Sequence, residues 1–249
     1  MPATPAWPPK SAPRLFVEGA LSRAQSVSVE GNQAHYLARV MRISPGDTVI
    51  LCDDISGEWA AEVIEVRKRE IVLRAVEHLR PREAVPDFWL CPALLKKDRF
   101  DLVLEKATEL GVARIQPMIT RRCVADKLNT ARARQIMTEA AEQCARTALP
   151  EIGEPQKLDA LLRDWPTDRI IFFADEDGGE PARASFASHS GPAALFTGPE
   201  GGFDDREREL LRSFHNVQPI TLGPRILRGE TAALAATALW MGVSGDWQT

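Results

Sequence analysis

The chain has 249 residues, of which 44% are hydrophobic and 27% charged, and its formal net charge is −4 at neutral pH. This composition is that of an ordinary globular protein, and it excludes the disordered and fibrous classes. A negative net charge argues against a protein that coats nucleic acid without preference, because such binding needs many cations. No window approaches 18 consecutive apolar residues, and prolines interrupt the start. We therefore expect a cytoplasmic protein with no membrane span, no signal peptide and a flexible tail over residues 1–13.

Cysteine and histidine are scattered along the chain. Cys52, Cys91, Cys123 and Cys144 form no Cys-x-x-Cys pair, and no histidine lies near enough in sequence to complete a zinc site. In a reducing compartment, buried free thiols are the expected state. We therefore expect no metal centre.

Residues 14–80 carry the pattern of a small β domain. Alternating or β-branched residues predict strands over 25–29, 47–51 and 58–66, with turn sequences between them. One helical segment is predicted around 34–41. Short, closely spaced strands favour a small barrel, and the charge- and proline-rich segment 79–86 interrupts the pattern. The sequence therefore predicts one domain over 14–80 and a second over 81–249.

Apolar runs alternate with helical segments in the second domain, which predicts βα units and a mostly parallel sheet covered on both faces. Asp98 and Thr130 are plausible N-caps, Gly111 is a plausible helix end, and Asp204 with Glu207 has capping-box spacing. The predicted strands cover 88–95, 112–119, 170–174, 193–197 and 217–222, and the predicted helices cover 98–110, 130–146, 204–214 and 229–241.

Two late runs end in similar turns, TGPEGG at 197–202 and LGPR at 222–225. In parallel α/β sheets, ligands bind outside the carboxyl ends of the strands. Glycine allows a ligand to approach the backbone, and proline stiffens the loop. Tight connections are the alternative, but a turn alone needs neither Glu200 nor Arg225. No dinucleotide fingerprint or P-loop is present.

Segments 197–203 (TGPEGGF) and 222–232 (LGPRILRGETA) resemble the two signature segments of the ribosomal RNA small subunit methyltransferase E family. The resemblance extends over nearly the whole chain, through 14–16, 35–47, 105–112, 121–123 and 139–146. Gly229 departs from the family, which often has threonine there, and Ala145 stands where glycine is frequent. The segment 54–57 (DISG) also departs from the family, which has a tighter Asp-Gly turn there.

The resemblance implies the methylation of N3 of a uridine in the decoding region of 16S ribosomal RNA, with S-adenosylmethionine as cofactor. It implies an α/β fold in which a PUA-like β barrel precedes a SPOUT-type domain with a C-terminal trefoil knot, and it implies a homodimer. The expected cofactor-binding residues are Leu195, Thr197, Gly198, Glu200, Gly201, Gly202, Leu222, Gly223, Ile226, Leu227 and Arg228.

Uridine N3 carries a proton that must leave, and the negative charge that develops on the ring must be stabilised. Arg228 is predicted to stabilise this charge, because a guanidinium stays charged and can bond a ring oxygen. Glu200 is predicted to accept the proton or to orient a water that does. The alternatives are a helix-flanking phosphate contact or a salt bridge for Arg228, and cofactor positioning or a role in loop structure for Glu200. Glu230 is expected to favour the start of the last helix.

The region 96–146 carries eleven Lys and Arg against seven Asp and Glu, and it predicts phosphate contacts. The expected partner is 16S ribosomal RNA within the small ribosomal subunit. Two rival functions stay open: a SPOUT methyltransferase for another RNA position, and a non-catalytic RNA-binding assembly factor. The candidate RNA-binding residues are Arg14, Arg39, Arg42, Lys96, Lys97, Arg99, Arg121 and Arg122.

Overall fold

A computed structural model of the chain describes residues 8–9 and 12–248, so most of the expected flexible tail over 1–13 lies outside the described residues. The chain divides into two compact units. The first holds the described residues up to Ala84 together with Ala141–Leu149. The second holds Val85–Ala140 and the rest of the chain from Pro150. No feature of the sequence indicated that 141–149 would group with the first unit.

The first unit contains one five-stranded sheet, in the order β1-β3-β4-β5-β2. Strands β1 and β3 are parallel, and the other neighbours are antiparallel. Because β1 and β2 lie at opposite ends of this order, the predicted barrel is an open one. The strands are β1 (Arg14–Phe16), β2 (Ser26–Glu30), β3 (Thr48–Asp53), β4 (Gly57–Val66) and β5 (Glu70–Arg80).

The core of the first unit follows the two-residue period of its strands. Val49 and Leu51 of β3, like Ile71 and Leu73 of β5, are fully buried in one cluster. Helix α1 (Gly31–His35) continues as a π-helical segment over Tyr36–Val40 and adds Leu37 to the same cluster. The predicted helix around 34–41 is therefore present but begins earlier.

The second unit contains a seven-stranded, all-parallel sheet, in the order β12-β14-β11-β13-β6-β7-β9. A short parallel pair, β8 and β10, forms a second sheet, and an isolated bridge between Ala93 and Met118 joins it to the end of β6. The strands are β6 (Phe88–Pro92), β7 (Arg114–Ile115), β8 (Met118–Ile119), β9 (Glu151–Ile152), β10 (Gln156–Lys157), β11 (Ile170–Ala174), β12 (Glu180–Pro181), β13 (Ala193–Thr197) and β14 (Val217–Thr221).

Apolar side chains cover both faces of this sheet, as the uninterrupted apolar runs predict. On β11, Phe172 belongs to one buried cluster, whereas Ile171 and Phe173 belong to the other. The covering helices are α2 (Lys97–Glu109), α3 (Thr130–Cys144), α4 (Leu158–Arg163), α5 (Ala182–Ala187), α6 (Asp205–Ser213) and α7 (Gly229–Val243).

Helix α7 is a core helix. Ala233, Ala236 and Met241 are buried in the first of these clusters, and the Trp240 ring stacks on Phe88 with 4.1 Å between ring centroids. The small residues Ala233 and Ala236 therefore serve internal packing.

Helix ends agree with the sequence at two of four positions. The Asp204–Glu207 capping box is present, and Gly111 ends α2 with a φ of +95°. Asp98 is wrong as a cap, because α2 already begins at Lys97 and Asp98 lies in its first turn. Thr130 is also wrong, since the side chain of Asn129 accepts the Arg132 N–H at 3.0 Å.

The four cysteines are thiols and form no disulfide. Cys52 and Cys91 are buried, and burial raises the pKa of Cys52 to about 12. Cys144 is exposed, so the expectation of a buried thiol is wrong there. Over the described residues, no helix is long and apolar enough to span a membrane, and no cluster of three or more His, Cys, Asp or Glu is suited to a metal ion.

Candidate functional site

Three loops leave the same edge of the parallel sheet. Strand β11 lies between β13 and β14, and all three run in one direction. The loops that follow Ala174, Thr197 and Thr221 therefore start side by side. Together with the start of α7, they surround a cavity of about 260 Å³. The two glycine-proline turns thus belong to one site.

The cavity brings together about half of the predicted cofactor-binding residues. Leu195 and Thr197 are instead buried within β13. Glu200, Gly201 and Arg228 are exposed and lie outside the cavity lining. The predicted residues that line the cavity are Gly198, Gly202, Leu222, Gly223, Ile226 and Leu227.

The first turn of α7 packs directly on the loop after β13. A Cβ atom at Gly229 would lie 2.8 Å from the Gly198 carbonyl oxygen and 2.9 Å from Leu95 Cδ2. Such distances are shorter than van der Waals contact, so only glycine fits this backbone. A threonine at this position would require α7 or the loop to shift.

Gly202 is constrained twice. Its φ of +68° lies in the left-handed region, and a Cβ there would lie 2.7 Å from Glu176 Oε1. The glycine therefore lets the loop after β13 close against the loop after β11.

Sequence reasoning missed the loop after β11. Asp175 and Glu176 line the cavity, as does Arg208 of α6. The available signal was positional, since residues 170–174 were predicted as a strand of the same parallel sheet and the sequence DEDGG follows directly.

Two predicted RNA-binding arginines support the loop that follows β13. The backbone N–H of Arg121 donates to Glu207 Oε1 at 2.8 Å, and its guanidinium Nε lies 3.3 Å from Asp204 Oδ2. The Arg122 guanidinium donates to the carbonyl oxygens of Gly201 and Phe203 at 2.9 and 3.2 Å. Both side chains remain exposed, so they combine a structural role with accessibility.

The start of α2 holds the other basic candidates of the second unit. Arg99 forms an ion pair with Glu230, which is buried in the first turn of α7. Lys96 and Lys97 are exposed. The backbone N–H of Lys96 donates to Glu200 Oε1 at 3.2 Å, which ties Glu200 to the start of α2.

The basic candidates of the first unit differ in their accessibility. Arg14 Nε lies 2.6 Å from Glu58 Oε1, and Arg80 holds the other oxygen of this carboxylate at 2.7 Å. The Arg14 guanidinium is therefore engaged in an ion pair within the protein. Arg39 and Arg42 are exposed at the end of the helical segment.

Known families match both parts of the chain. A family described as RNA methyltransferase domain matches residues 82–241, and one described as RNA methyltransferase PUA domain matches residues 29–76. The ribosomal RNA small subunit methyltransferase E of Rickettsia conorii is 30% identical over 229 residues, which cover 90% of this chain and 93% of that protein. The Bacillus subtilis protein of the same name is 30% identical over 241 residues, with the same coverage.

Solved structures agree with these matches. A ribosomal RNA small subunit methyltransferase E from Neisseria gonorrhoeae, bound to S-adenosyl methionine, superposes with a TM-score of 0.85 at 28% identity and covers 95% of this chain and 99% of its own. A putative methyltransferase from Legionella pneumophila in complex with the same cofactor gives a TM-score of 0.84 at 28% identity, over 94% of this chain and 99% of its own. By sequence and by fold, the chain belongs to the ribosomal RNA small subunit methyltransferase E family.

Proposed function

We propose that this protein transfers a methyl group from S-adenosylmethionine to N3 of a uridine in the decoding region of 16S ribosomal RNA, within the small ribosomal subunit. The observation that carries the proposal is the meeting of the two glycine loops and the start of α7 at one cavity. Family membership and the S-adenosyl methionine bound to two structural relatives support the same reading.

The cavity has the character that the cofactor needs. Its volume of about 260 Å³ is near the lower end of the range for small-molecule sites, roughly 300–1,000 Å³. Ile220, Leu222 and Leu227 offer an apolar wall for a nucleobase. Gly202 and Gly223 both have positive φ and leave backbone amides and carbonyls accessible. S-adenosylmethionine supplies an electrophilic methyl group on a positively charged sulfur.

Arg228 is the residue that we assign to the stabilisation of the uracil anion. It is the N-cap residue of α7, its side chain makes no capping hydrogen bond, and it forms no ion pair with any described residue. An exposed guanidinium beside a helix N-terminus is suited to an oxygen that gains negative charge.

Glu200 is the residue that we assign to removal of the N3 proton, directly or through a water. One carboxylate oxygen accepts the Lys96 N–H. The second oxygen, Oε2, has no protein hydrogen-bond partner among the described residues, which leaves it open to a proton donor. Alignment of the reacting groups by the loops lowers the activation barrier the most. In well-oriented reactions this lowering is on the order of 7–11 kcal/mol.

Further parts of the proposal rest on the family resemblance. They are the trefoil knot, the homodimer, the domain boundary after residue 80 and RNA contacts from the basic residues of both units. Light scattering on the purified protein tests the homodimer, and a mass of one chain would exclude it.

The test of the function is chemical. Small ribosomal subunits from a strain that lacks the gene should lack one methyl group on a uridine of the decoding region, as read by mass spectrometry of RNA fragments. Incubation with the purified protein and S-adenosylmethionine should restore it. Loss of a methyl group at another position would favour the rival methyltransferase. An unchanged set of modifications, with no binding of S-adenosylhomocysteine, would favour a non-catalytic assembly factor.

A further inference from the structure

The loop after β11 is held by two arginines of α6. The Asp175 side chain is fully buried, and Arg212 Nη2 lies 2.6 Å from its Oδ2. Arg208 Nη2 donates to Glu176 Oε1 at 2.7 Å, and Arg208 Nη1 donates to Asp177 Oδ2 at 2.6 Å. The Arg208 side chain is only 13% exposed. This network fixes the orientation of the Glu176 carboxylate.

The Glu176 carboxylate lies between the loops after β11 and β13. Its Oε1 is the atom nearest to the position that a Cβ of Gly202 would occupy, and Glu176 lines the cavity. Its second oxygen, Oε2, makes no hydrogen bond to any residue within 12–248. A carboxylate with one oxygen anchored and the other open can accept hydrogen bonds from a ligand in the cavity.

The apolar lining indicates which part of the ligand Glu176 meets. Ala174 lies two residues before Glu176 and pairs in register with Ile220, and both line the cavity. A nucleobase placed on this lining puts its attached ribose next to the carboxylate. The amino-acid end of the cofactor is separated from the base by the whole sugar. A carboxylate is also a good acceptor for vicinal hydroxyl groups, as the acidic residue of dinucleotide folds illustrates.

We propose that Glu176 accepts hydrogen bonds from the ribose hydroxyl groups of S-adenosylmethionine, and that Arg208 is the positioning residue that presents it. This inference rests on the proposed function and names the part of the cofactor that the loop after β11 recognises.

Calorimetric titration with modified ligands tests the inference. The ligands are S-adenosylhomocysteine, its 2′-deoxy and 3′-deoxy analogues, and an analogue without the α-amino group. For the unmodified protein, removal of one hydroxyl should weaken binding roughly ten- to a hundredfold, the range of a hydrogen bond to a charged group. Glu176→Gln should weaken S-adenosylhomocysteine binding by a similar factor and lose the discrimination between the hydroxyl and deoxy ligands.

Asp177→Asn is the matched control. It removes the charge of another carboxylate that contacts the same arginine, but Asp177 does not line the cavity. This variant should keep the discrimination, and thermal unfolding should verify that both variants are folded. Arg208→Gln should reduce the discrimination as Glu176→Gln does, and the double variant should lose nothing more. If the discrimination survives in Arg208→Gln, the positioning role is wrong.

Two results would overturn the assignment of Glu176. One is a Glu176→Gln variant that discriminates the deoxy ligands as well as the unmodified protein does. The other is loss of discrimination toward the ligand without the amino group, which would move the contact to the amino-acid end. A separate outcome concerns the proposed function itself: if the unmodified protein binds no S-adenosylhomocysteine, the function fails and the inference fails with it.

Discussion

The α carbon of Gly229 approaches the carbonyl oxygen of Gly198 so closely that a Cβ at position 229 would lie 2.8 Å from that oxygen. Both glycines line the cavity, one at the start of α7 and the other in the loop after β13. The two backbones therefore touch in the wall of the cavity, and neither side can gain an atom there without a shift.

Gly229→Ala should destabilise the protein and weaken its binding of S-adenosylhomocysteine. The added methyl group must displace the Gly198 carbonyl or Leu95, and overpacking of this kind costs about 1–3 kcal/mol. The gain from alanine in a helix is at most about 1 kcal/mol, so the net change in the free energy of unfolding is a loss. Urea denaturation and calorimetry measure the two effects.

Gly242→Ala is the control for this substitution. Gly242 lies in the same helix, and a Cβ there meets no atom within 4 Å. The variant should gain about 0.5–1 kcal/mol of stability and keep its ligand affinity. If Gly229→Ala also gained stability and kept its ligand affinity, the contact with Gly198 would not restrict the residue at position 229.

Arg228→Ala should reduce the single-turnover rate of RNA methylation at least about tenfold, because a lost charged hydrogen bond in the transition state costs roughly 1.5–3 kcal/mol. Arg228 lies outside the cavity lining, so the affinity for S-adenosylhomocysteine should remain within about twofold. This change is smaller than the factor of ten that corresponds to about 1.4 kcal/mol. Arg183→Ala removes an exposed arginine of α5 and should leave both quantities unchanged. An unaltered rate for Arg228→Ala would remove it from the mechanism.

Glu58 makes the stability of the first unit depend on pH. Burial alone would raise the pKa of its carboxyl group, but the hydrogen bonds from Arg80 and Arg14 outweigh burial and hold the pKa below the ordinary value of 4.5. A group with a depressed folded-state pKa stabilises the protein above its unfolded pKa, and this contribution is lost as the pH falls through the folded value.

Glu58→Gln should therefore cost about 1–3 kcal/mol near neutral pH, since it leaves two partly exposed arginines without their carboxylate. The difference from the unmodified protein should shrink as the pH falls below the ordinary carboxyl pKa of 4.5. Urea denaturation at several pH values measures it. Glu62→Gln removes an exposed pair with Arg74 and should cost no more than about 1 kcal/mol. If the loss in free energy of unfolding caused by Glu58→Gln stayed constant with pH, the lowered pKa of Glu58 would be contradicted.

Two central strands could be predicted to the residue, whereas the run predicted at 88–95 continues three residues beyond the end of β6. The apolar runs 170–174 and 193–197 coincide with β11 and β13, because every side chain in such a strand faces a covered layer. The run 112–119 instead yields two strands of two residues each. Pro117 interrupts it, since proline has no N–H to donate to a ladder. Helices α4 and α5, with six residues each, are too short to show a period and were missed.

The candidate site was predictable only where the local sequence carries the signal. Glycine and proline predict the loops after β13 and β14, because their effect on the backbone does not depend on the residues that pack around them. Glu176 and Arg208 are different, because the segment around Arg208 reads as a charged, solvent-facing helix in the sequence. Their contact joins residues 32 positions apart and exists only after α6 packs against the sheet. The close approach of Gly198 and Gly229 is likewise a property of the packed chain.

Lys96 and Lys97 are the basic residues best suited to test the RNA-binding prediction. The Arg122 guanidinium holds the loop after β13, and the Arg121 guanidinium pairs with Asp204 at the start of α6, so replacement of either side chain would disturb protein contacts as well as any phosphate contact. The two lysines are exposed at the start of α2, and only the backbone of Lys96 is engaged there, by Glu200. Their side chains can therefore be changed without loss of that contact.

The Lys96→Gln, Lys97→Gln double variant should bind a 16S RNA fragment of the decoding region less tightly, with a weaker dependence on salt. Each phosphate contact that is lost should lower the slope of log affinity against log salt by about 0.7–0.9. Arg183→Gln, which removes an exposed charge of α5 that is not among the RNA-binding candidates, should leave the slope unchanged. Binding of S-adenosylhomocysteine should be the same in all three proteins, because neither lysine lines the cavity. A slope that the double variant does not alter would mean that the RNA phosphates do not contact these two lysines.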